Sequence, residues 1–410
     1  MDTPTATWRK AAAVYVRGSK IERISEDQTL CGSEFELNLE GLFLIPGLID
    51  PHVHISENPS RKAVMFSERS IDASVQLVVE NGTTALDFGI TTVRDMGSHL
   101  GNLSNILNDE RLISYDLPEI IHCGQILTYD EGHMSSCGAA IEGIYDGRRV
   151  IADNRRSGAS FTKVTSDPED TEAQGREPNP AFSKETLSGI ADVSESVGLP
   201  VACHTFPSVD GVSRALEAGV FTIEHAVPLN DPQMTRAKAN GSIFVPTLVA
   251  AFDDFPPNFL ETRYGIARDT LEFWDRAAGD QTRQELDCDP PESIVTWVDR
   301  VLPRLGKALA ATEILVLPGS DAGCPGTSFG SLLREMFILS MFGQRPIDVV
   351  CAATFGASRA VKRADLGRIA VGAKADFVVL SDNLQDGLEG LTIPRFVIKD
   401  GKVVRSTPSR

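Results

Sequence analysis

Residues 44–55 read LIPGLIDPHVHI, an apolar run that ends on two histidines, His52 and His54. On a β-strand, residues two apart point to the same face, so both rings leave one side and can grip one metal ion. Everything else in the chain is read against that strand end.

Moving outward, comparable short apolar runs recur at intervals of roughly 20–40 residues, with helical or loop segments between them. They are TTVRDM (91–96), EIIHCG (119–124), SFTKVTS (160–166), LPVACHT (199–205), VFTIEHA (220–226), SIFVPTL (242–248) and ILVLPGSDA (314–322). With the first run they make eight. Eight parallel strands alternating with helices predict an α/β fold, a TIM-like (β/α)8 barrel whose chemistry collects at the strand C-terminal ends. His52, His54, Asp95, Lys163, His204, His225 and Asp321 all sit at or just past such an end.

The two termini follow another rhythm. Residues 10–46 and 366–406 alternate apolar and polar positions, the second with a KDGK turn, which is hairpin patterning. Residues 1–46 and 366–410 are therefore expected to form one composite β-sandwich domain, with 47–365 as the barrel. Two stretches interrupt the barrel pattern. Residues 167–181 are acidic and Pro-containing, hence a loop, and 249–311 is long for a βα connection and carries Phe252, Phe255, Phe259, Tyr264, Phe273, Trp274 and Trp297. Those aromatics either pack extra helices on the barrel or form a lid over its mouth.

At 410 residues, 42% hydrophobic and 23% charged, the chain has the composition of a folded globular protein. A formal charge of −18 and the lack of any Lys/Arg run argue against a nucleic-acid or anionic-lipid partner. The first residues hold no long apolar stretch, which predicts a cytoplasmic protein with no membrane span. The seven cysteines are scattered, odd in number and never spaced CxxC, and so read as reduced, packed thiols.

Four of only seven histidines, His52, His54, His204 and His225, fall where barrel strands deliver side chains to the mouth. Asp321, in PGSDAG at the end of the eighth strand, lies beside the first strand once the barrel closes. Cys203 and Glu224 each precede one of these histidines, so alternation sends them outward toward the helices. Arg94 and Asp95 read as a structural pair, Cys324 as a packed thiol, and His99 and His122 as ordinary.

Together with GLFLIPGLIDPHVHI (41–55), TTVRDMG, FTKV, ACHT, IEHA, LPGSDAG and the closing ATFGASRAVKRADLGRIAVGAKADFVVL (353–380), the chain resembles the amidohydrolase superfamily, in the imidazolonepropionase-like branch of metal-dependent dipeptidases, prolidases and ochratoxin-type amidases. The resemblance implies two divalent metal ions, with zinc the best match. His52, His54 and Asp321 would hold one ion and His204 and His225 the other. Lys163, carboxylated by carbon dioxide to a carbamate, would bridge them. A lysine suits that role because burial favours the neutral amine that reacts with carbon dioxide. The implied reaction is hydroxide attack on a small amide such as a dipeptide, an N-acyl amino acid or an ochratoxin-like molecule, with Asp321 moving the proton. His133 falls where related enzymes bind substrate. The family also implies a homo-oligomer. Alternatives are a mononuclear deaminase, a cyclic-amide, carbamate or urea hydrolase, or a catalytically silent scaffold.

Overall fold

The computed structural model describes all residues except 12, 27–35, 66, 131, 136–137, 166–181, 207–208, 278–289, 312, 386 and 408–410. The acidic 167–181 segment and Cys31, Cys137 and Cys288 thus lie outside the described residues.

Eight parallel strands form the barrel: β1 (Leu48–Val53), β2 (Ile90–Asp95), β3 (Glu119–His122), β4 (Thr162–Thr165), β5 (Val201–His204), β6 (Thr222–Glu224), β7 (Ile243–Val245) and β8 (Leu315–Val316). β1 to β3 pair in order, as do β4 to β8. The Ser160 amide donates to the His122 carbonyl (2.9 Å), tying β3 to the approach of β4. On the other side Asp321 N–H donates to His52 O (2.8 Å) and His54 N–H to Ala322 O (2.7 Å), so the chain just after β8 closes on β1. That closure brings the last run of the sequence to the first, as the barrel reading requires.

Side-chain alternation sorts each strand into two faces. Val164, Cys203, Ile223, Phe244 and Val316 face outward into the main core, against helix residues such as Leu187, Ile190, Val212 and Leu305. Ile49, Ile121, Ala202, Ile243, Val245 and Leu317 form a second buried cluster. Burial of each larger side chain contributes about 1.5–3 kcal/mol, so the barrel wall is a rigid frame for what it carries. The intervening helices begin on side-chain caps: Ser70, Ser183 and Asn230 accept from the amides of Ala73, Thr186 and Gln233.

The 44–55 run is not one strand. Phe43–Pro46 pairs antiparallel with Phe377–Leu380 in a four-stranded sheet completed by Phe396–Lys399 and Lys402–Ser406. The chain then changes sheets at Gly47, where a Cβ would stand 2.0 Å from the Thr91 hydroxyl. Only glycine lets the strand turn so close to β2. The hairpin Ala13–Arg17/Lys20–Ser25 docks through Ile21 on Ala373, Ala375 and Phe377. Both termini therefore build the antiparallel sheets together, as their alternation predicts.

The described part of the long 249–311 insertion is helical: Leu248–Asp253, Pro257–Tyr264, Arg268–Ala277 and Glu292–Ala310. Tyr264 stacks on Phe252 and Phe255, Phe259 meets Phe255 edge-on, Trp274 lies against Phe337, and Trp297 is buried. These aromatics pack extra helices on the barrel. No described helix is long and apolar enough to cross a membrane.

Candidate metal centre

Register explains which polar groups meet inside. In parallel pairing, His204 stands opposite Thr165 on β4 and opposite Glu224 on β6, while Lys163 stands opposite Ala202 and, one strand further, Thr222. Opposed residues share a face, so Thr165, His204 and Glu224 form one inward layer and Lys163, Ala202 and Thr222 the layer below. β1 contributes His52 and His54 from its C-terminal end, both almost fully buried.

Two donors lie just past their strands. His225 and Asp321 each adopt a left-handed backbone, φ +59° in both. Such a conformation is costly for a residue with a Cβ and clusters at functional sites. Here it turns both side chains back into the mouth. It also corrects the expectation for Glu224: because His225 reaches inward by a turn rather than by strand alternation, Glu224 need not face out. Its carboxylate is fully buried inside the barrel. Cys203 does face out.

The imidazoles form a connected series. Ring centroids are 5.8 Å apart for His54/His52, 4.6 Å for His52/His225 and 4.5 Å for His225/His204, and His133 stacks on His204 at 4.2 Å. Asp321 Oδ1 lies 3.2 Å from His52 Nε2 and 3.4 Å from His54 Nε2. The loop histidine His133 thus joins the group, whereas His99 and His122 do not. His122 is buried elsewhere, with its Nδ1 accepting from the Gly124 amide.

Hydrogen bonds fix two tautomers. His52 Nδ1 lies 2.8 Å from Glu224 Oε2 and His54 Nδ1 lies 2.8 Å from the Gly97 carbonyl. An ionised carboxylate and a carbonyl only accept, so each Nδ1 carries a proton, and His52 Nε2 presents a lone pair; His54, against the pull of burial, is raised above the usual histidine value by its hydrogen bond to Asp321. Burial alone would push the Glu224 carboxyl up, but the Arg94 charge and the His52 hydrogen bond hold it below the ordinary glutamate value, hence ionised. His52 Nε2, His54 Nε2 and a carboxylate oxygen of Asp321 then converge. His52 Nε2 and Asp321 Oδ1 are buried and have no hydrogen-bond partner among the described residues. A nitrogen lone pair of His52 facing a carboxylate oxygen calls for a cation between them.

His204 and His225 fit the same reading. Burial, reinforced by neighbouring positive groups, lowers His204 and His225 well below the usual histidine value, which keeps the rings neutral as metal ligation requires. His133 is pushed down to about 4 by burial and by Lys163. Lys163 is buried and lowered from the ordinary lysine value by desolvation, against the pull of Glu224 and Asp321. Asp321 would rise through burial, yet contact with His52, His54 and His225 holds it well below the usual range. Imidazole nitrogen with carboxylate oxygen is a donor set that fits a zinc-like divalent ion.

Arg94 and Asp95 are not a pair. Arg94 bonds Glu224, Thr222 and the Pro51 carbonyl. Asp95 accepts from the amides of Ile55 and Gly97 and so braces the loops that follow β1 and β2.

One glycine is required by the geometry. Gly323 has φ +103°, and a Cβ there would lie 2.4 Å from the His54 carbonyl oxygen. Gly323→Ala is expected to destabilise the fold by about 1–3 kcal/mol through strain at that position, read as a lowered thermal midpoint; an unchanged midpoint would show that the turn relaxes freely.

The barrel thus gathers metal-type donors at its strand ends. Residues 43–404 match the profile of the amidohydrolase family, and the chain belongs to it. It is thus a hydrolase acting on C–N bonds. The protein Rv2915c of Mycobacterium tuberculosis is 25% identical over 365 residues, 88% of this chain and 85% of that one. Two solved structures share the fold. One is a Xaa-Pro dipeptidase with methionine bound in its active site (TM-score 0.75, 22% identity, 95% of this chain and 94% of that one). The other is the ochratoxinase of A. niger (TM-score 0.72, 20% identity, 98% and 92%).

Proposed function

We propose that the chain is a binuclear metal-dependent amidase of small substrates: a dipeptide, an N-acyl amino acid or an ochratoxin-like amide. The observation that carries this is the convergence of His52, His54, His204, His225 and Asp321 around a buried lysine whose burial favours the neutral amine. The dipeptidase and ochratoxinase likenesses support the choice of an amide.

His52, His54 and Asp321 would hold one ion and His204 and His225 the other. Lys163 would reach both as a carbamate, formed when the neutral amine adds carbon dioxide and loses a proton. When bound, the ions polarise a scissile carbonyl and lower the pKa of water toward about 7. The chain's own residues do the rest. Glu224 and the Gly97 carbonyl lock His52 and His54 in the ligating tautomer. Asp321, through the carboxylate oxygen not given to the ion, would accept the proton of the attacking water and return it to the departing nitrogen, so that the amide C–N bond and one O–H bond of water break while a carboxylic acid and an amine form. His133, half-buried beside His204 and held neutral, offers a ring nitrogen to the substrate.

Lys163→Ala separates this reading from its rivals. Protein purified without chelator is expected to carry about two divalent ions per chain by elemental mass spectrometry, with a sharp fall in the variant and hydrolysis of dipeptides or N-acyl amino acids by the wild type alone. One ion, unaffected by the substitution, would select a mononuclear deaminase or cyclic-amide hydrolase. None, even after added metal and bicarbonate, would overturn the metal reading.

A further inference from the structure

The chain after β8 does not leave the mouth once Asp321 is delivered. Gly323, at φ +103°, folds it back against the end of β1. The Cys324 amide donates to the Asp321 carbonyl (3.2 Å), the Cys324 carbonyl accepts from Thr327 (2.9 Å), and the Gly326 amide reaches the Pro59 carbonyl (2.8 Å). Cys324 is therefore pinned on both sides.

The result is that ligand atoms of His54, Asp321 and Cys324 lie within 4.8 Å of one another, as do those of His52, His225 and Asp321. Asp321 is common to both sets. Two donors on one zinc-like ion, at about 2.0–2.3 Å each, stand roughly 3.5 Å apart, so closure of about 1 Å by side-chain rotation brings the sulfur into range. The fully buried His52 Nε2, unpartnered among the described residues and aimed at Asp321 Oδ1, independently marks this spot as a place for a cation.

A packed thiol is the simpler alternative: the Cys324 sulfur touches Met65 Sδ at 3.6 Å and is hydrogen-bonded to Asp321. The second contact directs the sulfur at the carboxylate that would hold the ion. Cys324 is partly exposed, unlike the outward-facing and fully buried Cys203, so apolar burial does not account for its place at the mouth.

We propose that Cys324 is a further ligand of the metal ion held by His54 and Asp321. The proposal rests on the metal-centre reading above and names a residue it does not use. On ligation the S–H bond breaks, a sulfur–metal bond forms and the proton passes to solvent. A thiolate adds softness and charge, biasing the site toward Zn²⁺ or Cd²⁺ over Mg²⁺ or Mn²⁺.

The test uses the full chain, stripped of metal and titrated with Co²⁺ and with Cd²⁺. Expected is a sulfur-to-metal charge-transfer band in the wild type that is absent from Cys324→Ser, with metal affinity in the variant lower by about tenfold or more, since even partners behind the ligands are worth that much. Protection of Cys324 from iodoacetamide by Cd²⁺, mapped on its peptide, reads the same contact without any variant. Metal binding with no charge-transfer band and no protection would overturn the Cys324 assignment while leaving the metal centre standing. A band that persists in Cys324→Ser, with Cys324 still open to alkylation, would also overturn it. A wild type that binds neither ion would overturn both.

Discussion

Asp321→Asn is expected to lower kcat/KM by about 10³-fold or more, at the upper end of what a positioned proton-transfer group supplies, while the protein stays folded. Asn keeps the shape and the left-handed backbone at this position, because Asn tolerates positive φ better than other side chains. What it removes is the charge. In the native site Oδ1 faces His52 Nε2 at 3.2 Å and His54 Nε2 at 3.4 Å. An amide there either turns an N–H toward the His52 lone pair, satisfying it without a cation, or offers a neutral oxygen that attracts a cation less. Both weaken metal retention, and neither accepts a proton from water. Elemental analysis beside steady-state kinetics divides the two losses: full metal content with lost turnover assigns Asp321 to proton transfer, and lost metal assigns it to holding the ion. Undiminished turnover would remove Asp321 from the mechanism.

How much of this could be read without coordinates depends on whether a residue's direction follows from local periodicity. His52 and His54 were legible because a period of two on one strand aims both rings alike. His204 and Lys163 were legible for the same reason, each being the inward residue at a strand end, and both termini announced their hairpins by alternation. Glu224 was not. Its inward aim follows from register with His204 across β5 and β6 and from the left-handed turn at His225, neither of which a one-dimensional pattern contains. A charged residue at the end of an otherwise apolar run, in a barrel with other inward charges, was the one available signal. The partner of Arg94 is hidden similarly, since it lies 130 positions away. The 44–55 run concealed a change of sheet because apolar character continues through Gly47, and only the approach of Thr91 reveals the break. Cys324 depends on a glycine turn whose direction is set by contact with His54. The aromatics of 249–311 were visible as a group, but packing and lid formation give the same composition, and the contacts of Phe252, Phe255 and Tyr264 decide for packing.

The second large effect concerns Glu224, and here stability and metal binding are expected to respond differently. The carboxylate is fully buried. Oε1 accepts from Arg94 Nη2 (2.9 Å) and from the Thr222 hydroxyl, and Oε2 from His52 Nδ1 (2.8 Å). Arg94 is itself about 1% exposed, with its Nε on the Pro51 carbonyl at 2.6 Å. Glu224→Leu leaves a guanidinium that cannot shed its proton buried without a counter-charge, and removing one partner of such a pair costs about 3–5 kcal/mol. The urea midpoint should fall accordingly. The same substitution releases His52 Nδ1, so the ring can turn or change tautomer, and metal affinity should drop by about 10–100-fold. Adding Arg94→Met separates the two consequences. An apolar pair of similar volume removes the stranded charge, so the double variant should regain most of the lost stability, with a strongly non-additive cycle. It still lacks the carboxylate that orients His52, so its metal affinity should stay low. If the double variant recovered both stability and metal, Glu224 would be a counter-ion for Arg94 and nothing more. If Glu224→Leu alone were as stable as the wild type, the burial of an ionised Glu224 against Arg94 would be wrong, and with it the tautomer assigned to His52.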